Sequence, residues 1–146
     1  MFVTELTRQA CLELLSRQQF GRLACARGSQ PYIVPFHFVY QHDCLYGFSI
    51  LGQKIEWMRA NPLVCVEVDE IVDQEQWASV IVSGRYEELP AMAEWEPERA
   101  LANKLLQRVP AWWKPGSATP ILSERPSVAV FFRIHATVIT GRSSSR

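Results

Sequence analysis

The sequence predicts a mainly β fold of the α+β class: a small six-stranded antiparallel β-barrel with peripheral helices. Three observations point there. Six segments dense in β-branched and aromatic residues read as strands. The first three are joined by short turns at Gly28-Ser29-Gln30 and Gln41-His42-Asp43, which makes them hairpins and hence antiparallel. The helical segments cannot all alternate with strands, which excludes a doubly wound parallel sheet.

Residues Thr4 to Gln18 read as a one-sided helix, with Thr7 able to cap and Ala10, Cys11, Leu14 and Leu15 in an apolar stripe. Phe20 to Ala26 is the first strand and Pro31 to Tyr40 the second. Pro35 interrupts the latter and implies a bulge, or an edge whose backbone can face a ligand. Cys44 to Phe48 is the third strand. A helix follows from Gly52 to Ala60, closed by Asn61-Pro62. Leu63 to Asp69 and Trp77 to Glu88 are the fourth and fifth strands, the latter with a bend at Gly84. A helix spans about Trp95 to Val109, with Pro97 near its start. A loop, Pro110 to Pro126, carries Trp112-Trp113, one of which is expected to cover a ligand pocket or a partner subunit. The last strand runs from Ser127 to about Thr140. Residues 1–141 thus form one domain, and the tail 142–146 is expected to be disordered.

The totals narrow the function classes. The 146 residues are 48% hydrophobic and 21% charged with zero formal net charge, which is globular composition without a basic nucleic-acid surface. No apolar run reaches the roughly 20 residues that span a bilayer, and no signal peptide is evident, so a cytoplasmic protein is expected. Cys11, Cys25, Cys44 and Cys65 lack metal-site spacing and lie among apolar residues. They read as reduced thiols, none in an electropositive setting that nominates it for catalysis. No nucleophile elbow or carboxylate pair suggests hydrolysis, and the histidines are too scattered for a metal trio.

One stretch does carry a chemical signal. In Phe48-Ser49-Ile50-Leu51-Gly52-Gln53-Lys54 a strand ends, a hydroxyl and a glycine follow, and a helix opens with a lysine in its first turn. Free helix N–H groups, a hydroxyl and an ammonium then converge, as a phosphate or other anion requires. A plain strand–helix turn with a solvated lysine gives the same sequence. Lysine is unfavourable against the helix dipole there, which argues for a bound anion.

The order of these pieces resembles the pyridoxamine 5′-phosphate oxidase-like family of flavin-binding split β-barrels, in particular its short nitroimidazole-resistance-like and flavin-nucleotide-binding members. The resemblance rests on Phe20-Gly21-Arg22-Leu23-Ala24, Pro31 to Phe36, Phe48-Ser49 with Gly52-Gln53-Lys54 and Asn61-Pro62, and Trp77 to Gly84. It implies a homodimer with FMN at the interface and a small-molecule substrate, without nucleic-acid or membrane partners. By the resemblance, Ser49, Gln53 and Lys54 would hold the FMN phosphate. Val34, Pro35, Phe36 and His37 would lie along the flavin ring. Trp77 and Ser79 would approach the ring or ribityl chain, from the same or the second subunit. The chain lacks the basic substrate-phosphate residues and the arginine-containing C-terminal segment of true pyridoxamine phosphate oxidases. A flavin-dependent oxidoreductase is therefore expected, but not the vitamin B6 reaction. Haem and the deazaflavin F420, bound by other branches of the family, are alternative cofactors, with His37 or His135 as a candidate haem ligand. A flavin carrier or sensor without turnover is the alternative function.

Overall fold

In the computed structural model, which describes residues 1–109 and 129–146, seven strands and three helices follow one another along the chain. Strand β1 (Phe2–Glu5) precedes helix α1 (Arg8–Arg17). Strands β2 (Phe20–Arg27), β3 (Gln30–Gln41) and β4 (Cys44–Ile50) come next, then helix α2 (Gln53–Ala60). Strands β5 (Leu63–Ile71) and β6 (Trp77–Leu89) lead through a short 3₁₀ turn at Ala93–Trp95 into helix α3 (Glu96–Leu106). Strand β7 (Ala129–Ser145) ends the fold. Trp112-Trp113 and their loop lie outside the described residues.

The strands pair antiparallel in the order β1-β7-β4-β3-β2-β5-β6, and a further β6–β7 ladder closes six of them into a ring. This is the expected mainly β architecture. The hairpin turn between β3 and β4 is only two residues, His42 and Asp43, both at positive φ (51° and 61°). That is the mirror-image turn that matches strand twist, and His and Asp are among the non-glycine residues that tolerate it. The β6–β7 register shifts between Ser83 and Gly84, at the bend expected from Gly84.

Alternation along the strands sends one set of side chains into the ring. Leu23, Phe36, Phe38, Leu45, Val66, Val80, Val82, Phe132 and Ile134 form the interior with Leu14 and Leu15 of α1 and Ile55 and Met58 of α2. Phe36 stacks on Phe38 and on Phe132, with ring centroids 5.6 and 5.8 Å apart. Gly47 makes that stack possible: a Cβ there would come 2.6 Å from Phe36 and 2.7 Å from Phe132. A second apolar cluster lies outside β4, where Val39, Cys44, Tyr46 and Phe48 meet Ala102, Leu105 and Leu106 of α3.

Two expectations are corrected. The N-terminal segment is not helical from Thr4: Phe2–Glu5 pair with β7, and the helix starts at Arg8 behind the Thr7 cap. The tail is not disordered either. Arg142 to Ser145 continue β7 and pair with β1 on one side and with Trp77 to Ser79 of β6 on the other. Ser144 is buried and donates to the Glu75 carbonyl at 2.9 Å, and Arg146 pairs with Asp73. Main-chain ladders hold this polar segment, which has no apolar stripe to announce it.

Candidate functional site

The turn from β4 into α2 provides the first half of the site. Gly52 caps α2 in extended conformation with no side-chain hydrogen bond, and the first helical bond runs from Glu56 N–H to the Gly52 carbonyl at 3.0 Å. The amides of Gln53, Lys54 and Ile55 therefore have no partner within the helix. Ser49 is buried, its hydroxyl turned to the Ile50 carbonyl at 3.2 Å, while Gln53 is exposed. Lys54 is half-buried, and burial pulls its ammonium below the ordinary lysine value, with only the Cys25 thiol pulling the other way. Among the described residues, no ion pair involves Lys54.

Lys54 shares a small cavity of about 50 Å³ with Pro35, Phe36, His37, Phe48, Leu106 and Val109. Parity on β3 explains who faces it. Pro35 and His37 point outward. Val34 packs against the interior core and Phe36 is 2% exposed within it, so their side chains belong to the barrel interior. His37 is kept below its ordinary pKa by burial, partly countered by a hydrogen bond to the Gln19 backbone, and its ring lies 4.8 Å from that of Phe20.

Trp77 and Ser79 are elsewhere. They line a separate cavity of about 460 Å³ with Glu5, Leu6, Ile81, Ile139, Thr140, Gly141 and Arg142. The Ser79 hydroxyl donates to Glu67 at 2.8 Å. Burial raises the Glu67 pKa, as does a hydrogen bond with Asp69, against the Ser79 hydroxyl and Arg22. Arg22 lies 3.4 Å from Asp69 and 3.8 Å from Glu67. Paired residues link the two cavities across the sheet: Pro35 to Arg22, Arg22 to Glu67, Glu67 to Ile81, Ile81 to Thr140. Three strand spacings separate Pro35 from Ile81, about 14 Å along the sheet.

The structure thus brings Pro35, Phe36, His37 and Lys54 together, with Ser49 and Gln53 beside them in the same turn. It leaves Val34 in the interior and Trp77 and Ser79 three strands away. Reading the sequence missed Leu106 and Val109, because nothing in an apolar helix stripe says which strand it covers. It also missed the Arg22–Glu67–Asp69 cluster, which exists only through the β2–β5 pairing. His135 has Glu87 at 3.0 Å on Nε2 and Cys44 at 3.4 Å on Nδ1, so neither ring nitrogen is left for iron.

A closed six-stranded antiparallel ring with helices packed against it, one of them starting without a side-chain cap beside a half-buried lysine, is the architecture of a split β-barrel. A family model described as pyridoxamine 5′-phosphate oxidase matches residues 7–143, and the chain belongs to that family. It is 42% identical over 146 residues to an uncharacterised protein of Rhizobium meliloti (strain 1021), covering 99% of this chain and 97% of the other. A crystal structure of a FAD-binding protein from Mesorhizobium loti is 43% identical with a TM-score of 0.83, over 99% of this chain and 100% of that one. The FAD-binding protein of Mycobacterium smegmatis, 24% identical with a TM-score of 0.68 over 98% of both chains, shares the fold.

Proposed function

We propose that the chain binds a flavin nucleotide at the Lys54 turn and serves as a flavin-dependent oxidoreductase acting on a small organic substrate. The observation that carries the reading is Lys54 itself: a desolvated cation, in no ion pair among the described residues, beside three amides that have no partner within the helix. Such a group is costly until an anion arrives, and a phosphate dianion satisfies the ammonium and the amides together. The flavin-mononucleotide portion is common to FMN and FAD, so the same turn serves either. The 43% identical FAD-binding relative supports a flavin over haem, as does the engagement of both His135 nitrogens.

Lys54, the α2 amides and Ser49 would hold the phosphate. Pro35 and His37 give an apolar wall against which a flat ring can lie. When bound, the flavin supplies the electron or hydride transfer, and the chain's residues position it and exclude water. His37, lowered in pKa by burial, stands there as a neutral imidazole that can hydrogen-bond to substrate or ring.

A cavity of about 50 Å³ does not enclose a flavin ring, and Trp77 and Ser79 are three strands distant within the chain. A second copy resolves both points. Phe20, Ile33, Leu63, Ile81 and Val138 are exposed on β2, β3, β5, β6 and β7, the strands that carry and join the two half-sites. An apolar face of this kind favours a homodimer whose partner supplies the Trp77–Ser79 half.

The test is the absorbance spectrum of the purified protein, with chromatography of the flavin released on denaturation. A flavin spectrum, and reconstitution by FMN or FAD, is expected. A colourless protein that binds neither overturns the proposal. Steady-state NAD(P)H oxidation with added acceptors then separates an oxidoreductase from a flavin carrier.

A further inference from the structure

Away from the flavin half-sites, three adjacent strands bring together a thiol, an imidazole and a carboxylate. Cys44 opens β4 and pairs with His135 of β7, and Glu87 lies on β6. Cys44 Sγ is 3.4 Å from His135 Nδ1, and His135 Nε2 is 3.0 Å from Glu87 Oε1. Arg133 Nε donates to the same carboxylate oxygen at 2.6 Å. Burial works against the Glu87 charge, but the hydrogen bonds from His135 and Arg133 outweigh it and hold the carboxyl below its ordinary range. An ionised Glu87 only accepts, so the proton of a neutral His135 sits on Nε2 and Nδ1 presents a lone pair to the thiol. The imidazole is 43% exposed by side chain, while Cys44 is 7% exposed. The thiol is thus reached past an open ring by a small molecule rather than a bulky one.

We propose that Cys44 is a site of oxidative modification by hydrogen peroxide, with His135 as the base that takes its proton and Glu87 as the positioning residue. The sulfur lone pair attacks one peroxide oxygen and an S–O bond forms as the O–O bond breaks. The thiol proton passes to His135 Nδ1 and then to the departing hydroxide, which leaves as water. Sulfur is oxidised by two electrons to the sulfenic acid and the peroxide is reduced. Burial pushes the Cys44 thiol up; Arg133 draws it down, and Glu87 and Asp43 push it further up. The resting thiol is protonated, which is why the reaction needs a base at contact distance. The proposal does not depend on the flavin reading.

The other cysteines are internal controls: Cys11 and Cys25 are buried and Cys65 is the most open thiol. The full chain is treated with limiting hydrogen peroxide, quenched with dimedone in denaturant, and mapped by peptide mass spectrometry. Cys44 is expected to carry the adduct ahead of Cys65 despite its burial. His135→Gln should slow Cys44 oxidation about 100-fold and leave Cys65 unchanged, since general-base assistance is worth that order. Glu87→Gln should slow Cys44 by a smaller factor and displace the pH profile of the reaction. Cys65 reacting first in the wild type, or a Cys44 rate and pH profile unchanged in both variants, overturns the proposal. Should His135→Gln also accelerate Cys65, showing a loosened fold, Glu87→Gln decides.

Discussion

Lys54 is the side chain on which the proposed phosphate contact turns, and its titration gives a sign that can be checked. Burial lowers its pKa in the folded protein, so between the folded and ordinary values the unfolded chain holds more protons. The charged lysine therefore destabilises the ligand-free fold fully below its folded-state pKa, and the penalty fades as pH rises towards the ordinary lysine value. A bound phosphate reverses this by favouring the ammonium. Lys54→Met should leave the ligand-free thermal midpoint unchanged or higher, and should weaken FMN binding about 10- to 100-fold, the worth of one charge-assisted hydrogen bond. Riboflavin, which has no phosphate, should bind wild type and variant alike. Wild-type affinity for FMN should fall in the alkaline range, and that limb should be missing from the variant. Titrations followed by flavin fluorescence across pH check all three; equal loss for FMN and riboflavin would remove Lys54 from the phosphate. Gly47 matters at the same scale for stability. Its Cβ would enter the Phe36–Phe132 stack, so Gly47→Ala should cost about 1–3 kcal/mol by overpacking, read from urea unfolding.

At the scale of elements, the segments with periodic apolar patterns were legible and those held by main-chain pairing alone were not. Strands β2 to β6 and most of β7 alternate or run apolar, and α1 carries its Thr7 cap openly in sequence. Strand β1 and the end of β7 carry little such pattern. Arg142-Ser143-Ser144-Ser145 resembles a solvated tail, yet it lies between β1 and β6 with hydrogen bonds to both. The same limit hid the Cys44–His135 contact, which joins residues 91 positions apart through a register no local pattern fixes. The Lys54 turn was legible because a strand–turn–helix pattern is local; the distance of Trp77 and Ser79 from Pro35 was not, since it depends on strand order. Ending the chain at Thr140 should therefore cost about 1–3 kcal/mol of stability, from lost ladder bonds and the Ser144–Glu75 contact. Hydrogen exchange should show residues 2–5 and 77–79 losing protection while β2 to β4 keep theirs. An unchanged exchange pattern would mean that the tail does not hold these strands in solution.

For the whole molecule, the question is whether the two half-sites belong to two copies of the chain. The outer strand faces that carry them expose Ile33, Ile81 and Val138, and Arg22 there lies within 4 Å of both Glu67 and Asp69. An arginine matched by its own carboxylates can be covered without leaving a bare charge, whereas a further carboxylate beside the cluster adds a charge with no partner there. Ile81 pairs directly with Glu67, whose carboxyl burial already disfavours as an anion. Ile81→Asp should thus place a second carboxylate against Glu67 and oppose any contact that removes both from water. Val138→Glu makes a related test on β7, beside Ser83 and away from the acidic cluster. Both side chains are exposed in the single chain, so circular dichroism should report an intact fold and at most a small shift in midpoint. Sedimentation velocity should show the wild type as a dimer and both variants as monomers. Flavin affinity should fall at least about 10-fold with the dimer, because the Trp77–Ser79 half is then missing from the ring's surroundings. A monomeric wild type that still binds flavin would place the complete site within one chain; monomeric variants with undiminished affinity would do the same, and Trp77→Ala would then have no effect on binding.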